Sequence, residues 1–489
     1  MLATIYFDQN NFVAFFATSR PEISKNMASN NKALSTLITV FFFWGFVAAS
    51  NTVLIGIFKE NFNLSQFESQ LVDLAFYGAY FIGSLIYFIL SKTSGDPLNK
   101  IGYKRGLILG LVISALGSFC FIPAAKLGSY PLMLGGLFVV GLGFALQQIV
   151  ANPFVIALGE AKTGSHRINL AGAINSLGTT IGPLLISYAI FGAITASVDV
   201  SISKVQIPYT ILAVAFLLVG LFIYRSNLPE VKSETDTTKG LGALSYPQLI
   251  WGMVGIFVYV GTEVTIQSNL PALCKELSGL ETKDSVHLIS LYWGCLMVGR
   301  WAGSVQVFKP SAKWKYPLFI AAPFLAYALV VIVNLIKGSP IDDFLSFLPF
   351  IMGAILMFIA TNNKPARTMF VFGLLGAACM TAGLIASGMM AAYFFIAGGL
   401  FCSVLWPCIF SLSLAGLGKY TTQGSSLLIM MILGGAIIPP IQGAIADNLD
   451  HIQASYMVPL IGFLILALYG SFVQKALVKQ GIDYDQEIK

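Results

Sequence analysis

Uncharged apolar stretches of about 20 residues recur along this chain, and nothing else in the sequence constrains the fold as strongly. Coiled into an α-helix, such a stretch crosses a hydrocarbon core about 30 Å thick. One stretch alone would suit a signal peptide or an anchor, but these continue almost to the end of the 489 residues. The bilayer is therefore the solvent of the whole fold. Charged residues make up only 10% and hydrophobic ones 56%, where a soluble domain carries about 25% charged residues.

The pattern predicts fourteen spans: 34–58, 68–91, 105–125, 130–158, 168–193 and 206–225, then 247–271, 285–307, 316–336, 342–362, 366–387, 390–416, 424–447 and 456–475. The organisation expected is a tail over 1–31, a six-helix bundle over 32–225, a polar linker over 226–246, an eight-helix bundle over 247–476 and a tail over 477–489. The first 31 residues mix polar residues with an apolar run, Phe12 to Ala17, too short to span. A second methionine, Met27, follows. They read as a cytoplasmic tail or an over-extended start.

Basic residues set the sidedness. With the N-terminus inside, 21 of the 28 Lys and Arg fall in cytoplasmic segments, 6 in outer loops, and Arg300 inside a span. Removing one span would invert everything after it and spoil the asymmetry. Removing a pair would not, but Lys337-Gly-Ser-Pro-Ile-Asp-Asp343 is a polar turn between two apolar runs, which favours fourteen. Both termini are expected in the cytoplasm.

The halves repeat each other. Gly45, Asn51 and Lys59-Glu60 recur as Gly261, Gln267 and Lys275-Glu276, each 216 residues on. Leu177-Gly-Thr-Thr-Ile-Gly-Pro183 recurs as Leu433-Gly-Gly-Ala-Ile-Ile-Pro439. This order implies parallel repeats of six helices, the second enlarged by a pair placed most simply at about 316–362.

Polar groups at membrane depth point to a cavity or to a partner helix. Glu263 is the one carboxylate well inside a span, with Gln267 one turn away on the same face. Asn51 and Thr52 lie at the matching depth of the first span. Gln147, Gln148 and Asn152 lie on the fourth, Asn175 on the fifth, and Gln423 and Gln442 bracket the penultimate one. Trp44, Trp293 and Trp406 add large rings. Amides both donate and accept, as sugar hydroxyls do, and an indole covers the C–H face of a pyranose. Asn51, Gln148, Asn152, Asn175, Glu263, Gln267, Trp293, Trp406 and Gln442 are therefore candidates to bind a neutral polyhydroxylated ligand. The competing readings are amides that only join helices and a packed Glu263–Arg300 ion pair.

Several classes fall away. The net charge of +6 sits in scattered loops and forms no patch for nucleic acid. Of six cysteines, five lie in apolar segments and none has C-x-x-C spacing. His166, His287 and His451 flank loops, so neither a metal nor another cofactor is expected. No phosphate loop or nucleophilic triad appears, so an enzyme is not expected.

Phe41-Phe-Phe-Trp-Gly-Phe46 with Asn51, and Leu74-Ala-Phe-Tyr-Gly-Ala-Tyr-Phe-Ile-Gly83, resemble the fucose permease and glucose/galactose transporter group of the major facilitator superfamily. So do Ala151-Asn-Pro-Phe-Val-Ile-Ala-Leu-Gly159, His166-Arg167-Ile-Asn169, Asn175-Ser176, Tyr259-Val-Gly-Thr-Glu263, Gly299-Arg300, Pro407-Cys-Ile-Phe-Ser-Leu412, and Gly424-Ser-Ser426 through Gly434-Gly435 and Asp447. The likeness covers most of the chain outside the N-terminal tail, the linker and about 316–362.

The resemblance implies an all-α polytopic transporter that imports a monosaccharide (fucose, galactose, glucose or a related hexose) across a bacterial inner membrane. Two bundles would alternate access to a central site, to which Asn175 contributes, and a monomer is expected. It also implies proton symport, but two positions depart: Thr52 and Gln148 stand where relatives of the fucose permease type carry an Asp and a Glu. Neither titrates near neutral pH, which leaves Glu263 as the proton-coupling candidate. Uncoupled or sodium-driven carriage and a non-transporting sugar sensor are the alternatives.

Overall fold

The structure, a computed structural model, describes residues 27–64, 66–191, 202–229, 241–280, 285–361, 364–449 and 451–483. The N-terminal residues 1–26 and most of the polar linker therefore lie outside the described residues. Those described are overwhelmingly helical and form no strand. In lipid every backbone N–H and C=O must be paired within the protein, and a helix does this within one segment.

The first half consists of α1 (Met27–Asn61), α2 (Gln66–Ser94), the short α3 (Pro97–Ile101), α4 (Tyr103–Phe119) continued by α5 (Phe121–Lys126), α6 (Tyr130–Ala157), α7 (Gly164–Phe191) and α8 (Gln206–Arg225). The second consists of α9 (Pro247–Ser268), α10 (Leu270–Ser278), α11 (Val286–Ser304), α12 (Ala312–Ile336), α13 (Asp342–Thr361), α14 (Pro365–Ile385), α15 (Gly388–Cys402) with α16 (Leu405–Leu414), α17 (Thr421–Met430) with α18 (Gly434–Leu449), α19 (Ile452–Ser455) and α20 (Met457–Val478). Among the described residues, 11 helices are long and apolar enough to cross a membrane. With α1, α7 and α11, which pack alongside them, these make the fourteen expected crossings.

Helix pairing repeats between the halves. In the first, α1 packs on α7, α2 on α6, and α4 on both α6 and α8. In the second, α9 packs on α18, α11 on α15, and α14 on both α15 and α20. The correspondence skips α12 and α13, so the additional pair is 312–361, close to the expected 316–362. The sequence repeat carries the same insertion. Gly45 and Gly261 are 216 apart (261 − 45), Gly178 and Gly434 are 256 apart (434 − 178), and the difference is 40 residues.

These four glycines mark equivalent crossings. A Cβ on Gly45 would stand 2.0 Å from the carbonyl oxygen of Asn175, and one on Gly178 2.3 Å from that of Phe42. In the second half, a Cβ on Gly434 would stand 1.9 Å from the carbonyl oxygen of Phe257, and one on Gly261 2.1 Å from Ile438 Cδ1. The repeat thus encodes backbone approach of α1 to α7 and of α9 to α18, the use to which small residues are put between membrane helices.

The additional pair packs on α11 and, through α13, on α15. His287 Nε2 lies 2.6 Å from Asp343 Oδ2, and the Tyr393 hydroxyl donates to the other oxygen of the same carboxylate. Asn334 Nδ2 donates to Ser290 Oγ at 2.8 Å. Outward-facing residues such as Leu325, Leu345 and Leu356 are exposed, as lipid-facing side chains are.

Candidate functional site

The bundles meet where α7 packs on α11 and α16, and where α17 packs on α2 and α6. On the face that carries the start of α1 and the end of α20, hydrogen bonds close this seam. Tyr103 and Thr422 pair through their hydroxyls at 3.2 Å, Ser425 Oγ donates to the Ile149 carbonyl at 3.0 Å, and His166 Nδ1 lies 3.2 Å from the Gly303 carbonyl. Arg167 caps the end of α6 by donating to the carbonyls of Val155 (2.9 Å), Ile156 (2.5 Å) and Glu160 (2.9 Å). Further along the seam come Arg300 with Ser176 and a weak Thr180–Met297 Sδ contact at 3.9 Å.

In the first half the candidate polar side chains that the structure describes are neutral. Trp44 Nε1 donates to Gln147 Oε1 at 2.9 Å, and Gln147 Nε2 donates to Ser114 Oγ at 2.9 Å, which joins α1, α6 and α4 in the core. Gln148 is half-buried and donates to the Tyr80 hydroxyl at 3.0 Å. Asn152 is 1% exposed and donates to the Gln148 carbonyl of its own helix at 3.1 Å. Asn175 donates to the Phe41 carbonyl at 2.9 Å, at the crossing that Gly45 permits. Asn51 belongs to α1, but its side chain lies outside the described residues.

In the second half the centre is charged. Tyr259 Oη donates to Glu263 Oε1 at 2.9 Å, and Arg300 Nη2 donates to the same oxygen at 3.4 Å. Tyr292 Oη donates to the Glu263 backbone carbonyl at 2.7 Å. Tyr259 and Glu263 sit one turn apart on α9, so the helix itself aims the phenol at the carboxylate. Trp406 lies 6.1 Å from the Tyr259 ring and stacks on Phe410 at 5.8 Å, and Trp293 meets Tyr292 edge-on at 5.8 Å. Both indoles are half-buried.

The remaining candidates bond outside the Glu263 cluster. Gln267 donates to the neighbouring Ser268 at 3.3 Å, so Tyr259 rather than Gln267 orients Glu263. Gln442 is fully buried. Its Oε1 accepts from Asn269 Nδ2 at 2.5 Å, and its Nε2 has no partner among the described residues. Sequence reasoning missed Tyr80, Tyr259 and Tyr292 as partners of the polar set. The signal for Tyr259 was its spacing of four from Glu263. Tyr80 and Tyr292 come from other helices and carry no such local mark.

The sequence pattern of the Major Facilitator Superfamily matches residues 35–366. The glucose/galactose transporter of Brucella abortus (strain 2308) is 35% identical over 453 residues, 91% of this chain and 94% of that protein. The L-fucose-proton symporter of Escherichia coli (strain K12) is 28% identical over 463 residues, 89% and 92% of the two. Among solved structures, that of the Major Facilitator Superfamily transporter FucP in the outward conformation superposes with a TM-score of 0.72 at 25% identity, covering 91% of this chain and 99% of that one. The chain belongs to the Major Facilitator Superfamily, in the group that holds these glucose/galactose transporters and L-fucose-proton symporters.

Proposed function

We propose that this protein is a secondary transporter that imports a neutral monosaccharide, a hexose or 6-deoxyhexose, by alternating access. The observation that carries this is the chemistry of the polar set: half-buried amides and indoles, Gln148, Asn175, Trp293 and Trp406, together with a compensated Glu263–Arg300 charge pair. A cationic substrate would call for surplus acid and an anionic one for surplus base. The names of the relatives support the same class. Asn51, Asn152, Gln267 and Gln442 complete the proposed contact set, with Asn152 and Gln442 shaping the site from behind.

The moving units proposed are 32–225 and 247–476, joined by the linker 226–246. The excess of basic residues on the face where the bundles are sealed supports a reading with that face and both termini in the cytoplasm of a bacterial inner membrane. Glu263 is the proposed proton site. Thr52 and Gln148, which do not titrate, favour a second reading as an uncoupled or sodium-driven carrier.

Uptake of radiolabelled glucose, galactose and L-fucose into proteoliposomes, with and without an inward proton gradient, decides between these readings. Saturable uptake concentrated by the gradient and abolished by a protonophore is expected. Flux that ignores the gradient removes proton coupling, and no saturable flux of any of the three removes the sugar reading.

A further inference from the structure

The additional helices α12 and α13 have no counterpart in the first half, and their ends at the sealed face gather a chemistry that the polar set around Glu263 does not use. α11 ends at Ser304 on that face, where His166 meets the Gly303 carbonyl. The turn into α12 and the turn from α13 to α14 therefore lie on it too. Lys309, Lys313 and Lys315 occupy the first turn, and Lys364 and Arg367 the second. No Asp or Glu occurs in 285–341 or in 344–446.

Aromatic rings are interleaved with the lysines. Phe308, Trp314 and Tyr316 are 68%, 58% and 56% exposed, and Lys315 Nζ lies 5.9 Å from the centre of the Tyr316 ring. Exposed Trp and Tyr settle at headgroup level in a bilayer, and Lys beside them extends its ammonium into the polar layer. From Trp314 an apolar lane continues along α12 through Leu318, Leu325 and Ile332, which share its exposed face. The rise from Trp314 to Leu325 is about 16 Å, the depth of one leaflet of a core about 30 Å thick. α13 packs beside α12 and carries a second exposed lane, Leu356, Met352 and Leu345, running from the same face.

We propose that the end of the additional pair at the sealed face is a binding site for an anionic phospholipid, its phosphate held by Lys309, Lys313 and Lys315 and its acyl chains laid along α12 and α13. The inference goes beyond the carrier reading and holds whichever solute is moved.

Charge selects the headgroup. A zwitterionic lipid brings its own ammonium to the lysines, whereas an anionic one brings net negative charge. A soluble phosphate would satisfy the lysines but leave the exposed indole and both lanes without a use. Two acyl chains beneath one phosphate engage all three features.

The test places the full-length protein in phosphatidylcholine nanodiscs with rising fractions of chain-brominated phosphatidylglycerol or chain-brominated phosphatidylcholine. Bromine quenches indole fluorescence on contact, and in each background the Trp314 signal is the difference from the same protein carrying Trp314→Phe. Half-maximal quenching of Trp314 is expected at a mole fraction at least about fivefold lower for the anionic lipid. Lys313→Gln with Lys315→Gln should bring the two lipids within about twofold of each other. Lys313→Arg with Lys315→Arg keeps the charge and should keep the preference. So should Lys475→Gln with Lys479→Gln, which removes equal charge from the exposed end of α20 on the same face.

Equal quenching by both lipids, or no quenching of Trp314, would overturn the proposal. So would a preference that survives Lys313→Gln with Lys315→Gln, or one lost in the arginine pair. An equal loss in the Lys475 and Lys479 variant would make the preference a property of the whole face rather than of this site. Excess inorganic phosphate that abolishes the preference, where chloride at matched ionic strength does not, would assign the lysines to a soluble anion instead.

Discussion

The two halves share one helix arrangement but treat polarity in opposite ways. In the first, Trp44, Gln147 and Ser114 form a neutral chain across three helices, and Gln148 leans on Tyr80. In the second, the equivalent depth holds a carboxylate and a guanidinium, with Tyr259 locking the carboxylate from its own helix. Duplication therefore preserved backbone approach and freed the side chains to diverge. The first half offers neutral hydrogen-bonding groups at this depth, and the second a carboxylate and a guanidinium. This division makes the two halves unequally sensitive to change.

The largest difference should come from removing one polar group on each side. Glu263→Ala leaves a buried guanidinium without its carboxylate, a loss of about 3–5 kcal/mol. Gln148→Ala removes one neutral hydrogen bond, worth about 1 kcal/mol. Thermal unfolding in one detergent compares them, and equal shifts would break the contrast between halves.

The glycine crossings come next. Gly45→Ala and Gly434→Ala drive a methyl group into a carbonyl oxygen that belongs to a rigid helix, at a cost of about 1–3 kcal/mol each. Gly261→Ala meets only the flexible tip of Ile438 and should cost less than half as much. The same unfolding assay reads all three, and a Gly261→Ala penalty equal to that of Gly45→Ala would deny that backbone approach is what the repeat preserves.

A smaller effect should follow from restoring an acid to the neutral half. Gln148→Glu is expected to change uptake at its optimum less than about tenfold while adding a second limb to its pH profile. An unaltered profile would show that this position does not feed a proton into the cycle.

The smallest effect concerns the outer end of the charged half. Cys274 on α10 is fully buried, and its thiol is pushed up to about 12 by burial, aided by Asp343. Little thiolate therefore exists at about pH 8, and maleimide labelling of the native protein should be at least about tenfold slower than after denaturation. Fast native labelling would mean that α10 does not hold its place.

Much of the fold was legible in the sequence because lipid imposes one rule on every span. The fourteen crossings and the polar turn at Lys337–Asp343 followed from apolar length and charge, and the placement of the additional pair from the internal repeat. Breaks within crossings were not legible. The interruptions at Ser403–Val404 and Met431–Leu433 sit in apolar sequence, where a change of helical direction alters no average hydropathy. The end of α9 falls at Ser268, close to the expected 271. Asn269 separates it from α10, whose burial of Leu270, Leu273 and Cys274 is a property of one face rather than of the whole segment. Of the candidate site, the residue types were readable but their partners were not. Gln267 shares a face with Glu263 yet bonds to Ser268, because the phenol one turn earlier already holds the carboxylate.

The additional helices α12 and α13 carry a mechanical consequence. They widen the lipid-facing perimeter of the second half alone, and the His287–Asp343–Tyr393 contacts fasten α13 to α11 and α15. Viscous drag in a bilayer grows with the perimeter swept. Under the proposed alternation of the two units, the narrow first half should therefore make the larger excursion relative to the surrounding lipid, with the broad half serving as its keel.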